Sequence, residues 1–397
     1  MRKKRIAVLV PDLSVPTGIS VVAKFLYDVI NDSGKYEADL ISLATSATDG
    51  DSVRLIKPSS WSRGVSVSNQ QYEGAAYRHV GANLTEVEFQ RYRPRKALNS
   101  VLRGYDLVQV VAGSAPWLLA AKDFGGRVAL SVFSKSKVER ESMIRRAKQP
   151  KKTWLKLMTQ INAGLEQKAF QRADTIFVNN IWLKDELEKT FPDKTVFAPP
   201  GIDTDFFTPA ANKTEDYILS VGRFADPRKN VRLLFRSYRI LNDSFPETPK
   251  LVLAGQTAPS DEDMAEAQRL GIVDKIEILT SVSKESLREL YQNAALFLLS
   301  SDEEGFGLII AEAMACGLAV VATKCGGPEV LILENETGFL TPVGDAAALA
   351  DKTSLLLTDK NLREKFGAAG RKRAAENFSH FATGKIYLEN YERLLNL

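Results

Sequence analysis

Short apolar runs rich in Val, Ile, Leu and Phe alternate with stretches of helical period along the whole chain, so both halves predict an α/β architecture with parallel sheets. In the first half the pattern predicts strands at 5–10, 38–43, 106–111, 127–132, 175–178 and 195–198, with helices at 18–31, 153–172 and 181–190. The second half restarts it, with strands at 217–221, 250–254, 275–279, 295–299, 319–322 and 339–341. Helices there are expected at 230–243, 261–270, 284–293, 307–316, 345–358 and 360–376. Between the halves, the polar stretch "PAANKTED" at 209–216 follows the turn-rich "PPGIDTDFFTP" and reads as a linker. The expected organisation is therefore 1–208, the linker 209–216, and 217–380, followed by a C-terminal helix within 381–397. That helix carries Ile386, Tyr387, Tyr391, Leu394 and Leu395 on a face that either domain can accept, and we assign it to the N-terminal one. Two doubly wound domains in tandem would turn the C-terminal ends of their strands toward a shared crevice, the usual ligand position in such sheets.

Length and composition agree with two cores: 397 residues exceed one ordinary core, and 44% hydrophobic with 26% charged residues is a globular balance. The opening "MRKKRIAVLVPDL" imitates the basic start of a signal peptide, but its apolar run, Ile6 to Val10, is too short for one and fits a buried parallel strand. No run approaches the ~18 apolar residues of a membrane span, so the expected location is cytoplasmic or peripheral on the cytoplasmic membrane face. Two cysteines, Cys316 and Cys325, exclude a disulfide framework, and with only two histidines a zinc site of the His/Cys kind is not expected.

Chemistry is concentrated where strands run into loops. In "SVGRFADPRKNVRLL" a strand ends at Val221, and Arg223 and Lys229 bracket a loop before a helix. Two cations beside a helix N-terminus suit the diphosphate of a nucleotide, although taken alone they also fit solvated loop cations. "LFLLSSDEEGFG" is a strand running into a polar loop and a helix that begins near Gly307. Glu304 precedes that helix and Glu312 lies about one turn inside it, among Leu308, Ile309, Ile310, Ala311 and Ala313. A carboxylate in such apolar company needs a partner, and hydroxyl donors at the two ends of a nucleotide sugar are suitable ones. Were the span from Glu304 to Glu312 fully helical it would rise ~12 Å, roughly from a sugar across a diphosphate to a ribose. Glu303 reads as solvated. In "ATKCGGPEVL" Gly326 and Gly327 end a strand and Pro328 opens a helix, while near the N-terminus "PTG" places Gly18 at a helix entry without the full dinucleotide fingerprint.

Together "PTG", "PPGIDTDFFTP", "SVGRFADPRKN", "LVLAGQ", "EEGFGLIIAEAMACG" and "GGPEVL" resemble, in order, the motifs of family-4 retaining glycosyltransferases of the GT-B fold (glycosyl transferases group 1). The resemblance is specific over the second domain and looser from 45 to 170. It implies a hexosyltransferase of polysaccharide or glycoconjugate biosynthesis, in which the C-terminal domain holds a nucleotide-sugar donor and the N-terminal domain an acceptor that is a glycan, a lipid or protein-linked. It also implies no metal and no cofactor beyond the nucleotide sugar, a UDP-sugar being favoured over a GDP-sugar. Carried over to this chain, Arg223 and Lys229 would stabilise the leaving diphosphate, and Glu304 would bind hydroxyls of the transferred sugar with the backbone of Phe306 and Gly307. Leu308 and Ile309 would offer N–H groups to phosphate, as would Gly18 from the first domain, Glu312 would take the ribose hydroxyls, and Val282 would meet the base through its backbone.

The sequence departs from that pattern in two places. The family's histidine after the strand at 127–132 is replaced in "ALSVFSKSKVE" by Phe133 or Ser134, and the Asn of the usual "N-G-V-D" turn is Pro200. The first change, together with a basic face at 135–156, motivates an alternative, a non-catalytic glycosyltransferase-like subunit in a glycosylation complex; a nucleotide-sugar epimerase fits the "EEGFG" stretch poorly. Charge is also unevenly placed: the segment 135–156 alone carries an excess of seven positive charges, more than the +4 of the whole chain. With Trp154, Leu155, Leu157 and Met158 alongside, residues 135–158 are a candidate surface for anionic membrane, or else a solvated basic helix whose apolar residues enter the core. Nucleic acid is not expected as a partner, because no recognised binding motif accompanies the basic residues.

Overall fold

The computed structural model describes all residues except Met1, Pro16, Asn212, Glu215, Pro246 and Leu397, and leaves out the side chains of Ser142 and Arg146. Pro16 of "PTG", Asn212 and Glu215 of the expected linker, and the Arg146 side chain of the basic segment thus lie outside the described residues. The chain divides into two compact units: Met1–Gly201 together with Thr383–Leu397, and Ile202–Ala382.

In the first unit the strands are β1 (Lys4–Pro11), β2 (Tyr36–Leu43), β3 (Val67–Tyr72), β4 (Ala75–Val80), β5 (Leu107–Ala112), β6 (Arg127–Val132), β7 (Thr175–Val178) and β8 (Thr195–Phe197). They form one sheet in the order β3-β4-β2-β1-β5-β6-β7-β8, parallel except for the antiparallel pair β3 and β4. Residues Ile6 to Val10 of β1 are fully buried, as expected for a central strand with both faces covered. The hairpin of β3 and β4 is absent from the sequence-based expectation. Its first strand, "VSNQQY", is polar, and its turn uses Glu73 and Gly74, both at positive φ, in place of the familiar Asn-Gly pair. The last helix, His380–Asn396, contributes Tyr387 and Tyr391 to this unit. Their hydroxyls donate to the Ala198 carbonyl at 2.9 Å and to Gln109 Oε1 at 2.8 Å, and the Tyr387 ring packs on Phe177.

The second unit is built on β9 (Tyr217–Arg223), β10 (Lys250–Thr257), β11 (Ile276–Thr280), β12 (Leu296–Leu299), β13 (Val320–Thr323) and β14 (Gly338–Thr341). Their order, β11-β10-β9-β12-β13-β14, is that of a six-stranded dinucleotide-type fold, every pair parallel. Helices cover the sheet, notably Val231–Ser244, whose Leu234, Phe235, Tyr238 and Leu241 enter the core with Leu251, Leu296 and Phe339. The connection reverses direction between β9 and β12, so the loops after these two strands flank the topological switch point where such sheets bind ligands.

The expected boundary needs correction. The second unit starts at Ile202, ahead of the expected linker, because the chain from there on bonds to it. Ile202 N–H donates to the Phe378 carbonyl at 2.8 Å, and His380 N–H returns to the Ile202 carbonyl at 3.0 Å. Arg371 donates to the carbonyls of Thr204 and Phe207, and Gln292 to that of Thr208. The stretch read as a spacer lies on the same unit: Lys213 Nζ donates to the Gly317 carbonyl at 3.0 Å. Its polarity reflects surface position and not freedom from the core. Among the described residues no helix is long and apolar enough to cross a membrane.

Candidate functional site

The β9 loop brings one cation into a network and holds the other on a tether. β9 ends at Arg223, and the chain turns through Phe224 to Asp226 into a short 3-10 turn, Pro227–Lys229. Asp226 caps that turn through Arg228 N–H and also receives the Arg228 guanidinium and, at 3.3 Å, Arg223 Nη2. Burial pushes the Asp226 carboxyl up, but the hydrogen bonds and charge of Arg228 outweigh it and hold the group below the usual carboxylate range. The Lys229 stem runs over Gly222, and Asn230, at φ 43, starts the helix Val231–Ser244. Gly255 of "LVLAGQ" has a steric reason to be glycine: a Cβ there would fall 2.0 Å from the Gly222 carbonyl oxygen.

The β12 loop is bonded to the β9 loop on one side and to the β13 loop on the other. Asp302 N–H donates to the Arg228 carbonyl at 2.7 Å, Asn230 Nδ2 to Asp302 Oδ1 at 2.7 Å, and Ser300 Oγ to the Lys229 carbonyl at 3.0 Å. On the other side Glu304 N–H donates to the Cys325 carbonyl, and Gly327 N–H to the Glu304 carbonyl. A Cβ at Gly327 would meet the Phe306 carbonyl oxygen at 2.3 Å, so that glycine permits the contact between the two loops. Within this frame Lys229 Nζ lies 2.5 Å from Glu304 Oε1, with only 14% and 12% of the two side chains exposed. Ser301 Oγ donates to the same carboxylate oxygen at 2.8 Å.

Glu303, read as solvated, is instead paired with Arg228 at 3.0 Å and only 15% exposed, because the loop folds its side chain back onto the β9 turn. The span from Glu304 to Glu312 is not one helix. Gly307 takes φ 91, and the helix runs from Leu308 to Ala315. Leu308 and Ile309, both half-buried, form its first turn, where N–H groups have no carbonyl within the helix to bond. Phe306 is buried with its ring 5.7 Å from that of Phe378.

Glu312 is half-buried, and its Oε2 accepts a hydrogen bond of 2.9 Å from the hydroxyl of Tyr291, a fully buried residue of the helix Lys284–Asn293. Burial raises the Glu312 carboxyl to about 7, a shift that the Tyr291 hydrogen bond and the charge of Lys284 partly offset. Val282 lies in the turn after β11, beside Ser281 at φ 55 and ahead of the Ser283 cap of the same helix.

The loops after β9, β11, β12 and β13 all leave the C-terminal ends of one parallel sheet. The sequence-derived Arg223, Lys229, Val282, Glu304, Phe306, Gly307, Leu308 and Ile309 therefore share that end of the second unit, with Lys229 and Glu304 in direct contact. Gly18 belongs to the first unit, where it is exposed at the start of the helix Gly18–Asp32, after a Thr17 cap that bonds reciprocally with Ser20. In the same unit Phe133 and Ser134 leave β6 with both N–H groups on the Gly113 carbonyl, and the Phe133 carbonyl accepts from Asn180. Ser134 is buried with no partner for its hydroxyl among the described residues. The sequence reading overlooked Asp226, Arg228, Asn230, Ser301 and Asp302, which fix the loops, and Tyr291, which meets Glu312. Asp226 stands immediately before Pro227, a turn-capping pattern that was available as a signal.

Two doubly wound sheets, one carrying paired cationic and acidic loops at its switch point, define an α/β protein of two Rossmann-type units. Solved structures place the fold further. Sucrose-phosphate synthase from Thermosynechococcus elongatus matches with a TM-score of 0.77 at 20% identity, over 99% of this chain and 100% of that one. Anabaena HepE, solved in complex with UDP, matches with a TM-score of 0.70 at 15% identity, over 98% of this chain and 100% of that one. The fold is GT-B. Residues 201–373, most of the second unit, match the family model for glycosyl transferases group 1. Among curated relatives, alpha-maltose-1-phosphate synthase of Mycolicibacterium smegmatis is 26% identical over 265 residues, 59% of this chain and 67% of that protein. D-inositol 3-phosphate glycosyltransferase of Mycobacteroides abscessus is 31% identical over 250 residues, 58% of this chain and 54% of that protein. The chain thus spans only about half the length of the inositol phosphate relative.

Proposed function

We propose that the chain is a retaining, metal-independent hexosyltransferase that takes its sugar from a nucleoside diphosphate sugar and passes it to an acceptor held by the first unit. The observation that carries this reading is the pairing of Lys229 with Glu304 at the switch point, 2.5 Å apart and shielded from solvent. An ammonium has three donors, so Lys229 can keep Glu304 and still reach an anionic oxygen. It would thus stand where the transferred sugar joins the diphosphate, with Glu304 toward the sugar hydroxyls. Arg223, tethered through Asp226 yet 44% exposed, is available to the same phosphates. As the anomeric bond breaks, negative charge grows on the departing diphosphate, and fixed cations with the first-turn N–H groups of Leu308 and Ile309 stabilise it. These charges take the part that a metal plays elsewhere. Glu312 and the backbone of Val282 would hold ribose and base. Attack from the face the nucleotide leaves, assisted by its phosphate, needs no protein base.

A UDP-sugar is favoured over a GDP-sugar, and HepE, a fold relative, is described with UDP and with UDP-glucose. The acceptor is a glycan, a lipid or protein-linked, and the place of work is the cytoplasm or its membrane face. The subunit alternative rests on the absent histidine at Phe133 or Ser134 and on the basic face of the first unit, and a pure scaffold has no use for a shielded Lys–Glu pair beside a tethered arginine. UDP should raise the melting temperature more than GDP does, measured by thermal shift. No shift with any nucleoside diphosphate would remove the donor reading.

A further inference from the structure

The basic segment forms two helices, Ser136–Arg146 and Lys151–Arg172, joined by a short connection. The structure decides where its apolar residues go. Met158, Thr159, Asn162 and Glu166 form the buried face of the longer helix. Trp154 and Leu157, in contrast, stay 54% and 47% exposed, and Met143 on the shorter helix is 40% exposed. Trp154 and Leu157 are three residues apart, so they neighbour each other on one flank of the helix. A solvated basic helix has no use for a tryptophan and a leucine side by side in water. Around them Lys148, Lys151 and Lys156 are exposed, and none forms an ion pair among the described residues. The acidic residues of this region are engaged or few: Glu88 is taken by Arg140, Glu166 by Ser136, and Glu141 is the exposed one.

We infer that this two-helix tip of the first unit docks on an anionic lipid bilayer. The lysine ammoniums lie at the headgroups, and Trp154, Leu157 and Met143 enter the interfacial layer. Each element of the surface has a role in that setting. Lysine stems run along apolar surface with the charge at the aqueous edge, tryptophan favours the interface, and the leaflet's negative potential supplies the attraction. Uncompensated lysines supply charge complementarity, and exposed apolar groups supply the part that salt does not screen. The inference deepens the proposed reading by naming the surface on which the acceptor is met, but it stands on the first unit alone. Nucleotide binding to the second unit tests a separate question.

The test is co-sedimentation of the full chain with vesicles of phosphatidylcholine, with and without phosphatidylglycerol, at low and high salt. Binding should require phosphatidylglycerol and weaken with salt. The triple variant Lys148→Glu/Lys151→Glu/Lys156→Glu should lose affinity by about 100-fold or more, at roughly five-fold for each lysine charge removed and more for the reversal. Trp154→Ser/Leu157→Ser should lose about 10-fold and leave the salt dependence in place. All five side chains are exposed, so the melting temperature and its response to UDP should not change in either variant. Equal binding to neutral vesicles, no binding to anionic ones, or unchanged binding by the charge variant would overturn the inference. So would a dimer that dissociates on Trp154→Ser/Leu157→Ser, since the surface would then be covered by a second copy.

Discussion

Lys229→Ala should lower sugar transfer by roughly a thousand-fold in kcat/KM, with most of the loss in kcat. The size follows from where the charge is needed. A cation fixed beside the bond that breaks matters most once the diphosphate carries its full charge, so its removal costs the transition state more than the bound donor. The variant also leaves Glu304 with Ser301 as its remaining side-chain partner in a site where its carboxylate is 12% exposed, which should cost about 2 kcal/mol of stability. Two further variants separate chemistry from folding. Glu304→Gln keeps the shape and a hydrogen bond to Ser301 but weakens the hold on sugar hydroxyls, so turnover should fall while UDP still binds. Arg236→Ala removes an exposed guanidinium paired with Glu266 on the helix after the β9 loop, and should leave turnover as it was. Steady-state kinetics with a UDP-hexose checks all three. Full activity of Lys229→Ala would dismiss the assignment.

Glu312→Gln should stabilise the unliganded protein above neutral pH while weakening its hold on donor. The folded-state carboxyl sits near 7 against an ordinary value of 4.5, so folding favours its neutral form. That preference costs nothing below the unfolded value. It grows as pH rises from about 4.5 to about 7, and is complete above that. At full extent the shift corresponds to about 3 kcal/mol, so the wild-type melting temperature should decline over this window and the Gln variant should show a shallower decline. Glutamine still accepts from the Tyr291 hydroxyl, so the comparison isolates the charge. Donor binding should run the other way. Ribose hydroxyls donate better to a carboxylate than to a neutral acid, so UDP affinity should fall between pH 8 and pH 6 in the wild type and stay level in the variant. Melting curves and titrations across that range check both slopes; parallel wild-type and variant curves would contradict them.

The strands were legible because parallel strands covered on both faces are unbroken apolar runs, as Ile6 to Val10 and Leu296 to Leu299 show. The β3–β4 hairpin was not, since its outer strand is polar and its turn has no strong signal. The boundary at Ile202 was also hidden: "PAANKTED" is polar enough for a spacer, while bonds from Arg371, Gln292, Lys213 and Thr214 tie this stretch and its neighbours to the second unit. For the candidate site, residue types at strand ends indicated Arg223, Lys229, Glu304 and Glu312. The partners that fix them were not legible. Arg228 with Glu303 and Asn230 with Asp302 join residues far apart in the chain, pairs that follow from the sheet order that brings β9 next to β12, and Tyr291 meets Glu312 between the helices that precede and follow β12.

The central claim is that a nucleotide sugar's diphosphate lies at the switch point between β9 and β12. The most direct measurement is a crystal structure of the chain with UDP. It should show the diphosphate within hydrogen-bond reach of Lys229 Nζ and of the Leu308 or Ile309 N–H, and the ribose hydroxyls on Glu312. UDP bound elsewhere, with Lys229 and Glu304 still closed on each other and touching no phosphate, would contradict it.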